Sequence, residues 1–532
     1  MLSWYLNAVD RRVELKQSKE WSRRGVLGAA AALAPIRVLA QQRSEGGGDR
    51  GKFSDYPFKL GVSSGDPSHQ GFVIWTRLAP DPIQGGGMPT EDVRVEWEVA
   101  DDRAMSKVVA KGEVRATAAL AHAVHAEVEG LAPDRWYFYR FRAGGEVSPV
   151  GRARTAPDPN METQGLRFAF ASCQHYEPGY YTAFEHMSRE DLDFVVHLGD
   201  YIYEGPGSEG LVRKHTGNEI QSLDDYRNRH ALYRSDKDLQ AAHHACPWIV
   251  TWDDHEVDNN YADAAPEEAD VGEDAFLARR AQAYQAYYEH MPLRLEAKPR
   301  GADMQLYRNV PFGRLLEFQV LDTRQYRSDQ PCGDKNGPEC EGVFDPRTSI
   351  LGEQQEDWLY SALRRSPARW NAIAQQVMVA RVDRVPGDRN AYSMDKWSAY
   401  RHGLDRFLSF LDREKPSNPI VLTGDIHSNW VCDLMLDFAD PKSKKVGTEY
   451  IGTSISSSGD GSQNLEYDSE MRSENPCVRF YNGERGYVSC EVTPHQWRSK
   501  YQVVEYVSKP GAPLVTRAEF VTENGRPGVQ RA

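Results

Sequence analysis

Two short apolar segments of this sequence are each followed within a few residues by polar side chains of the kinds that bind metal ions. The segment 168–171 (FAFA) is followed by Cys173, and the segment 194–198 (FVVHL) is followed by Asp200 and, three residues later, Tyr203. A short apolar segment bounded by polar residues is typical of a buried strand. Because Tyr203 follows Asp200 so closely, both side chains can reach one ion from a single turn. A thiol, a carboxylate and a phenol at two strand ends suggest a metal site.

Two further apolar segments end in the same way. They are 248–252 (WIVTW) and 420–423 (IVLT), and the polar residues that follow them are Asp253, Asp254, His255, Asp425 and His427. A single Asp after a strand is often only a turn residue. Four clusters of ligand-type residues after four strands are hard to explain by turn chemistry, so we interpret them as parts of one metal site.

The mixture of ligand types predicts two unlike metals. Carboxylates suit hard cations such as Ca²⁺, Mg²⁺ and Mn²⁺, whereas a thiolate, a phenolate and an imidazole suit a transition metal. The simplest arrangement is dinuclear, with Asp200 as the bridge. Two metals about 3.5–4 Å apart can lower the pKa of a bound water and hold a phosphoryl group. The predicted chemistry is therefore hydrolysis of a phosphate ester.

These residues need a scaffold that brings the strand ends together. Residues 181–191 have the length and composition of a helix between the first two strands. A β-α-β unit makes the two strands parallel and adjacent, so that both end at the same edge of the sheet. In open α/β sheets, ligand sites lie beyond the carboxyl ends of the strands.

From Arg167 onward the sequence alternates between strand and helix patterns, which is typical of a layered α/β domain. Besides the segments above, helices are expected at 224–244, 275–290 and 351–364, and strands at 314–321, 372–377, 449–456 and, as a last edge strand, 517–521.

Residues 53–156 show only strand patterns separated by Gly and Pro clusters. Within them, 131–140 resembles the corner of a fibronectin-type or Ig-like sandwich, in which a Tyr ties a loop to the next strand. The expected domains are a β-sandwich at 53–156, a catalytic domain at 160–510 and a C-terminal tail at 511–532.

The N-terminus predicts export. Arg23 and Arg24 precede an Ala-rich apolar segment, and a small-residue cleavage site follows after Ala40. This order resembles a twin-arginine signal at 1–40. The alternative is an ordinary Ala-rich helix with chance arginines. The expected partner is the twin-arginine translocation machinery, and the expected location is the periplasm or the medium.

Length and charge narrow the function classes. With 532 residues the chain exceeds a single core, so two or more domains are expected. The formal net charge is −14 and no basic stripe occurs, so a specific nucleic-acid partner is not expected. After the N-terminus, no apolar stretch approaches the roughly 20 residues of a membrane span.

The seven cysteines are an odd number. Cys332 and Cys340 flank a short loop that a disulfide could close, and export would permit disulfides. Sequence does not fix the pairing of the remaining four, Cys246, Cys432, Cys477 and Cys490. Cys173 is then the unpaired one, although a buried apolar Cys is also ordinary.

The motifs together resemble one family. The matching segments are GVSSGDP (61–67), ASCQ (171–174), HLGDYIYE (197–204), TWDDHE (251–256), LDTRQYR (321–327) and LTGDIH (422–427). In this form and order they are similar to the PhoD-type alkaline phosphatases of the calcineurin-like metallophosphatase superfamily. The resemblance implies two β-sheets flanked by helices, preceded by a small all-β domain.

The resemblance also implies the metals and their ligands. It implies one Fe³⁺ and one or two Ca²⁺. The iron ligands would be Cys173, Asp200, Tyr203 and His427, and the calcium ligands Asp200, Asp254 and Asp425. Asp253 is the alternative neighbour to Asp254. One departure occurs before Val377, where Gln375-Gln376 stands in place of the Asn-Gln pair expected from the family.

The implied reaction is direct attack of a metal-bound hydroxide on phosphate mono- and diesters. His255 would stabilise the phosphoryl oxygens or protonate the leaving group. Arg324 would bind the phosphate as a planar fork. Its alternative is a structural ion pair with Asp322 or a nearby carboxylate.

Three other functions remain open at this stage. The site could be a phosphodiesterase specific for phospholipids, or act on teichoic-acid-like polymers. The chain could be an exported binding or adhesion protein with structural metals, although structural sites are usually uniform. An iron oxidoreductase is the third, but no dinucleotide or haem motif supports it. A monomer is expected.

Overall fold

The computed structural model describes residues 53–464 and 468–532. The predicted signal at 1–40 lies outside the described residues, which all belong to one compact unit. None of the helices in the described part of the chain is long and apolar enough to cross a membrane.

The strands of the described residues are β1 (Val62–Ser68), β2 (Gly71–Arg77), β3 (Val93–Ala100), β4 (Val108–Ala116), β5 (Ala123–Val128), β6 (Trp136–Ala143), β7 (Glu146–Val147), β8 (Gly151–Arg154), β9 (Leu166–Ala171), β10 (Phe194–His197), β11 (Trp248–Val250), β12 (Arg308–Phe312), β13 (Leu316–Val320), β14 (Trp370–Ala374), β15 (Pro419–Thr423), β16 (Asn429–Met435), β17 (Lys445–Ile451), β18 (Gly461–Ser462), β19 (Val478–Val492), β20 (Gln496–Val504), β21 (Leu514–Glu523) and β22 (Arg526–Arg531). The α-helices are α1 (Thr182–Met187), α2 (Leu223–Arg234), α3 (Lys237–Ala245), α4 (Glu273–His290), α5 (Gly352–Arg365), α6 (Arg401–Glu414) and α7 (Asp468–Glu474).

The first large sheet has the order β5-β2-β1-β11-β10-β9-β19-β20-β21-β22. At its centre β9, β10 and β11 are parallel, with Val196 opposite both Phe170 and Ile249. The predicted β-α-β unit is therefore confirmed, and the three strands end at one edge of the sheet.

The second sheet has the order β12-β13-β14-β15-β17-β16-β19. Strand β19 is 15 residues long and belongs to both sheets, pairing with β16 in its first half and with β9 and β20 in its second. The sheets pack face to face through buried aromatic rings. The ring centroids of Phe168 and Phe194 are 4.9 Å apart, and Phe318 of the second sheet lies 5.4 Å from Phe168.

Helices cover the outer faces of the two sheets. Helix α6 shows why: its buried Leu404, Phe407, Leu408 and Leu411 follow the i, i+3, i+4, i+7 spacing that places apolar side chains on one helix face. They join the apolar core outside the second sheet, while α1, α3 and α4 contribute to the core outside the first. The predicted layered α/β class, with two sheets flanked by helices, is confirmed.

The helix predicted at 224–244 is two helices. Helix α2 begins with a capping box between Ser222 and Asp225. Helix α3 is capped by Asp236, whose side chain accepts from the backbone N–H of Asp238 and Leu239. The side-chain cap of Asp236 competes with helix continuation, and a polar window without apolar periodicity conceals such a break.

The N-terminal sandwich shares a sheet with the rest of the chain. One of its sheets consists of β4, β3, β6, β7 and β8. The other, β5-β2-β1, continues the first large sheet, since Gly65 of β1 pairs with Trp248 of β11. The expected corner is present, because the Tyr137 hydroxyl accepts from the backbone N–H of Ala132 at 3.0 Å.

The segment predicted as a tail, 511–532, instead contains β21 and β22. Strand β21 pairs with β20 from Val504↔Leu514 to Gln496↔Glu523, and β22 is the outer strand. The strand expected at the edge is therefore an inner one. Alternating buried residues in β21 show that the segment adds apolar surface to the core.

Candidate metal centre

The four predicted clusters meet at one end of the molecule. Three of them follow strands of the first sheet (β9, β10 and the β11 segment), and the fourth follows β15 of the second sheet. Acidic, thiol and imidazole ligand atoms come within 4.8 Å of one another in three connected groups, which are Cys173/Asp200/His427, Asp200/Asp254/His255 and Asp253/Asp254/Asp425. The sequence predicted a common edge; the structure shows that this edge is built by both sheets.

Two glycines allow the strand ends to approach closely. Gly199 has φ +107°, and a Cβ there would lie 2.4 Å from the backbone nitrogen of Asp253. A Cβ on Gly424 would lie 2.5 Å from Ser172 Oγ. Only glycine permits these contacts, so the Gly-Asp pairs of the motifs set the distances between loops as well as supply carboxylates.

Four of the cluster residues have left-handed backbone conformations. Cys173, Asp200, Asp425 and His427 have φ values of 58°, 55°, 62° and 54°. Non-glycine residues rarely adopt this region, and such strain concentrates at functional sites. The conformation turns each side chain away from its strand and into the shared space.

The predicted iron ligands lie together. The Tyr203 hydroxyl donates to Asp200 Oδ2 at 2.8 Å, and its oxygen lies 3.1 Å from His427 Nε2. Cys173 completes the set, since its sulfur is within 4.8 Å of ligand atoms of Asp200 and His427. A thiol, a phenol, an imidazole and a carboxylate thus converge as the sequence predicted.

A Ser-rich loop supports this group from the side. Ser457 Oγ lies 2.8 Å from the Tyr203 hydroxyl and 2.7 Å from the carbonyl oxygen of Cys173. Ser458 Oγ lies 3.0 Å from His427 Nδ1, which leaves Nε2 directed towards Asp200 and Tyr203. Sequence reasoning assigned no role to these serines, because a Ser/Gly loop carries no specific ligand signal.

The second group consists of carboxylates. Asp253, Asp254 and Asp425 lie within the same 4.8 Å limit, and Asp200 joins Asp254 and His255 in the group between. Asp200 therefore belongs to both the Cys173/His427 group and the Asp254/His255 group, the place where a bridging ligand is expected. Both Asp253 and Asp254 belong to this group, so Asp253 is a candidate ligand as well as Asp254.

The donor set fits bound cations. Three buried carboxylate oxygens, Asp200 Oδ1, Asp253 Oδ2 and Asp254 Oδ1, have no hydrogen-bond partner among the described residues. Buried polar atoms normally have a partner, and an unpaired carboxylate oxygen is costly. Oxygen atoms suit hard cations, whereas the sulfur, phenol and imidazole on the other side suit a transition metal.

The electrostatics indicate that this site accumulates negative charge. Burial and the Arg324 guanidinium act in opposite directions on Asp254, and the net effect raises its pKa to about 6. Burial, with Asp200 as the next cause, raises the pKa values of Cys173 and Tyr203 well above their ordinary range. Bound cations would reverse these shifts, because they stabilise the thiolate, phenolate and carboxylate forms.

His255 is held by a carboxylate. Its Nδ1 lies 2.7 Å from Glu204 Oε2, and its ring stacks on Tyr203 at 4.1 Å between centroids. Glu204 Oε1 in turn accepts from the backbone N–H of Asn259 at 3.0 Å. This arrangement leaves Nε2 of His255 for the cluster. Sequence reasoning quoted Glu204 within a motif but gave it no role.

Glu256 joins two of the ligand loops. Its carboxylate accepts from the backbone N–H groups of Asp200 at 3.2 Å, Tyr201 at 2.5 Å and Asp253 at 2.8 Å. Burial, and then the Asp200 carboxylate, raise the pKa of Glu256 to about 8. We interpret Glu256 as a structural clamp that fixes the backbone from which Asp200 and Asp253 project.

Arg324 forms ion pairs with nearby carboxylates, which was the alternative to a phosphate-binding role. Its side chain is fully buried and donates to Asp253 at 2.5 Å and, through both terminal nitrogens, to Asp395 at 2.6 and 3.1 Å. Arg324 contacts Asp322 through its backbone N–H, which donates to Asp322 Oδ1 at 2.9 Å. The guanidinium thus pairs with nearby carboxylates, and Nη2 also lies 3.4 Å from Asp425 Oδ1. Asp395 was missed, since it follows no strand.

The side-chain amides of Gln375 and Gln376 form hydrogen bonds to residues outside the cluster. Gln376 accepts from Thr323 and donates to Thr251, and Gln375 donates to Thr423 at 2.6 Å while accepting from Trp397 at 3.2 Å. The amides tie β14 to the neighbouring strand ends. Their longer side chains are therefore accommodated structurally.

One disulfide is present in the described residues, between Cys332 and Cys340 as predicted. The free and buried cysteines are Cys173, Cys246, Cys432, Cys477 and Cys490.

A cavity of about 230 Å³ opens beside the carboxylate group. Its lining is polar apart from one isoleucine and consists of Asn260, Asp334, Asn336, Arg384, Ser393, Asp395, Lys396, Asp425 and Ile426. Since Asp425 belongs to both the cluster and the cavity wall, a small ligand in the cavity would reach the cluster.

Two family models and a curated protein match this chain. The family model described as "PhoD-like phosphatase" matches residues 168–501, and the one described as "PhoD-like phosphatase, N-terminal domain" matches residues 41–157. The chain is 51% identical over 484 residues to "Alkaline phosphatase D" of Bacillus subtilis (strain 168), with 90% of this chain and 83% of that protein covered.

Among solved structures, "Structure of PhoD" is 50% identical with a TM-score of 0.89 and covers 91% of this chain and 93% of that one. A second structure, described as GAP50, the anchor in the inner membrane complex of Plasmodium, is 12% identical with a TM-score of 0.37 and carries no argument.

Proposed function

Because the chain belongs to the PhoD-like phosphatase family, we propose that its strand-end cluster is a mixed-metal centre at which phosphate mono- and diesters are hydrolysed. The chain is a hydrolase of phosphate esters, and its family and its clustered ligand atoms support metal dependence. The observation that carries the proposed site is the convergence of three buried carboxylate oxygens without hydrogen-bond partners, all from the first sheet, with Asp425 from the second sheet and with a buried thiol and phenol.

We assign one Fe³⁺ to Cys173, Asp200, Tyr203 and His427. The sulfur, phenol and imidazole of this set favour a transition metal over Ca²⁺. One or two Ca²⁺ would bind the neighbouring carboxylates, because carboxylate oxygens are donors that calcium prefers. These carboxylates are Asp200, Asp253, Asp254 and Asp425. When bound, these metals would activate water and neutralise charge on the phosphoryl group.

Among the residues at the centre, we assign proton transfer to His255. Glu204 holds its Nδ1 at 2.7 Å, which fixes the ring and directs Nε2 towards the cluster. Nε2 can therefore hydrogen-bond a phosphoryl oxygen or protonate the departing ester oxygen. Arg324 acts through position: it holds Asp253 and stands between the cluster and Asp395.

The adjoining cavity supports substrates with small polar groups. Its lining contains one apolar side chain, Ile426, and no aromatic ring. A glycerol-sized or sugar-sized ester group matches this lining better than an acyl chain, because apolar surface gains little in a polar pocket. The proposal therefore favours soluble esters and polymer repeats over a strict phospholipid preference.

The proposed location rests on the sequence alone. Arg23, Arg24 and the site after Ala40 support export by the twin-arginine route to the periplasm or the medium. This route carries folded proteins and would fit a centre that is loaded with metal before export. A monomer remains the proposed state.

Metal analysis and a paired assay test the proposal. Purified protein should contain iron and calcium, and should hydrolyse both nitrophenyl phosphate and bis-nitrophenyl phosphate. Removal of metal with a chelator should abolish both activities, and readdition should restore them. Undiminished activity of the fully metal-free protein would refute the proposed centre.

A further inference from the structure

Lys396 lines the cavity immediately beside the metal cluster. Its side chain is 13% exposed, and its ammonium group contacts Asp425 Oδ2 and lies 3.2 Å from Asp395 Oδ2. Among the cavity's lining residues, it is the cation that contacts a residue of the cluster. A phosphate ester that approaches the metals from the cavity would pass this ammonium group.

Burial makes Arg324 a poorer candidate than Lys396 for the phosphate-binding role. The Arg324 side chain has no exposed surface, and its guanidinium contacts four carboxylates, those of Asp253, Asp254, Asp395 and Asp425. Lys396 is partly exposed and lines the cavity, so a ligand there can reach its ammonium group.

The two carboxylates beside Lys396, those of Asp395 and Asp425, also have other partners. Asp395 receives two hydrogen bonds from Arg324 and one from Arg327 at 2.9 Å. Asp425 is a metal ligand in the proposed function. With the metals bound, both carboxylates beside the ammonium group would also bind other cations. A phosphoryl group carries the negative charge that the ammonium group would then neutralise.

The backbone holds Lys396 in place. The next residue, Trp397, is buried, its backbone N–H donates to Met378 at 3.2 Å, and its indole N–H donates to Gln375 at 3.2 Å. The ammonium group is thus presented from an anchored segment, which limits the entropy lost when it binds an anion.

We propose that Lys396 binds a non-bridging oxygen of the phosphoryl group and favours the doubly charged monoester over the singly charged diester. This inference rests on the proposed function, since it takes Asp425 as a metal ligand. It assigns to Lys396 the role that the sequence assigned to Arg324.

The test compares Lys396→Met and Lys396→Arg with the wild type, all purified with their metals. Lys396→Met should raise KM for nitrophenyl phosphate, and the inhibition constant for inorganic phosphate, by about ten- to a hundredfold, the range for loss of a hydrogen bond to a charged group. KM for bis-nitrophenyl phosphate should rise less. Lys396→Arg should recover most of the loss.

Lys335→Met is the matched control. Lys335 is exposed on the disulfide-closed loop, between two lining residues of the same cavity, so this variant changes the net charge equally nearby. Its KM and phosphate inhibition should match the wild type. An equal change in the control would show a general charge effect and overturn the proposal.

Metal content separates the remaining outcomes. If Lys396→Met lost iron or calcium, or kept wild-type inhibition by phosphate, Lys396 would be a counter-ion of Asp395 and Asp425 and the proposal would be wrong. The proposed metal centre fails by a different result, namely undiminished activity of the metal-free wild type, so the two failures are distinguishable.

Discussion

The hydroxyl of Tyr203 lies 2.8 Å from Asp200 Oδ2, so two residues three apart in sequence point at the same place. The positive φ of Asp200 makes this possible, because the chain turns sharply after β10. The phenol oxygen and the carboxylate are therefore close enough to be ligands of one ion.

Replacement of Asp200 by Asn should empty both halves of the centre. Asn keeps the size but removes the charge that two cations share. Iron and calcium content should both fall, and activity should fall by more than the about 10–100-fold that loss of an outer-sphere partner costs. Elemental analysis with the nitrophenyl phosphate assay checks this. Full metal content in Asp200→Asn would rule out the bridging assignment.

Replacement of Tyr203 by Phe should affect the iron selectively. Phe keeps the stacking with His255 but removes the phenol oxygen. A ferric phenolate absorbs visible light, so the wild type should be coloured, whereas Tyr203→Phe should lose the band and most of its iron and keep its calcium. Ser457→Ala, which removes hydrogen bonds to the phenol and to the Cys173 carbonyl but keeps the phenol oxygen, should shift the band without abolishing it. An unchanged spectrum in Tyr203→Phe would contradict the assignment.

Replacement of Glu204 by Gln should reveal whether His255 protonates the leaving group. Without the carboxylate, the His255 ring loses its orienting partner, and kcat should fall about 10–100-fold while metal content is retained. The fall should be larger for an alkyl phosphate than for nitrophenyl phosphate, whose leaving group needs no proton. Equal losses on both substrates would favour the phosphoryl-binding role of His255 instead.

Replacement of Asp395 by Asn should destabilise the fold. Arg324 and Arg327 are fully buried and share this carboxylate. Arg324 keeps Asp253, but the loss of Asp395 removes the carboxylate that pairs with the buried Arg327. We expect about 3–5 kcal/mol less free energy of unfolding, measured in urea. The exposed pair of Arg347 and Asp345 offers the control: Arg347→Met should leave the urea midpoint unchanged. A wild-type midpoint for Asp395→Asn would show that solvent or another carboxylate compensates.

Stability should decline below about pH 6.5 through buried histidines far from the metal centre. Burial lowers the pKa values of His125 and His244 to about 4. Nε2 of His125 lies 2.9 Å from the Tyr288 carbonyl oxygen, and His244 accepts from the Val62 N–H at 3.2 Å. Both contacts link the N-terminal sandwich to helices of the catalytic part.

The sign follows from proton binding. Between pH 6.5 and 4 the unfolded chain binds protons that the folded chain excludes, so stability rises with pH in this window and is constant above it. At about 1.4 kcal/mol per pH unit, each His costs about 3 kcal/mol by pH 4. Urea midpoints from pH 7 to 4 should show a shallower slope for His125→Gln than for the wild type. Parallel slopes would mean that His125 is not a source of the acid lability.

The fold class and the grouping of the candidate ligands follow from patterns in the sequence. Apolar strands, the helix at 181–191 and the polar residues after each strand are local patterns, and the rule that parallel strands end at one edge joins them. For this reason Cys173, Asp200 and His427 could be grouped without coordinates. The roles of these residues as ligands remain predictions that metal analysis decides.

The partners of the buried charges, in contrast, become known from the three-dimensional fold. Arg324 and Asp395 are 71 residues apart, and no local pattern links them. The same holds for Lys396 beside Asp425, for the Glu256 clamp and for the strands at 514–531 that were expected as a tail. A guanidinium in the sequence carries the same charge whether it binds substrate or a carboxylate. Its role is set by what the fold packs against it, because desolvated charges must be paired wherever they are buried.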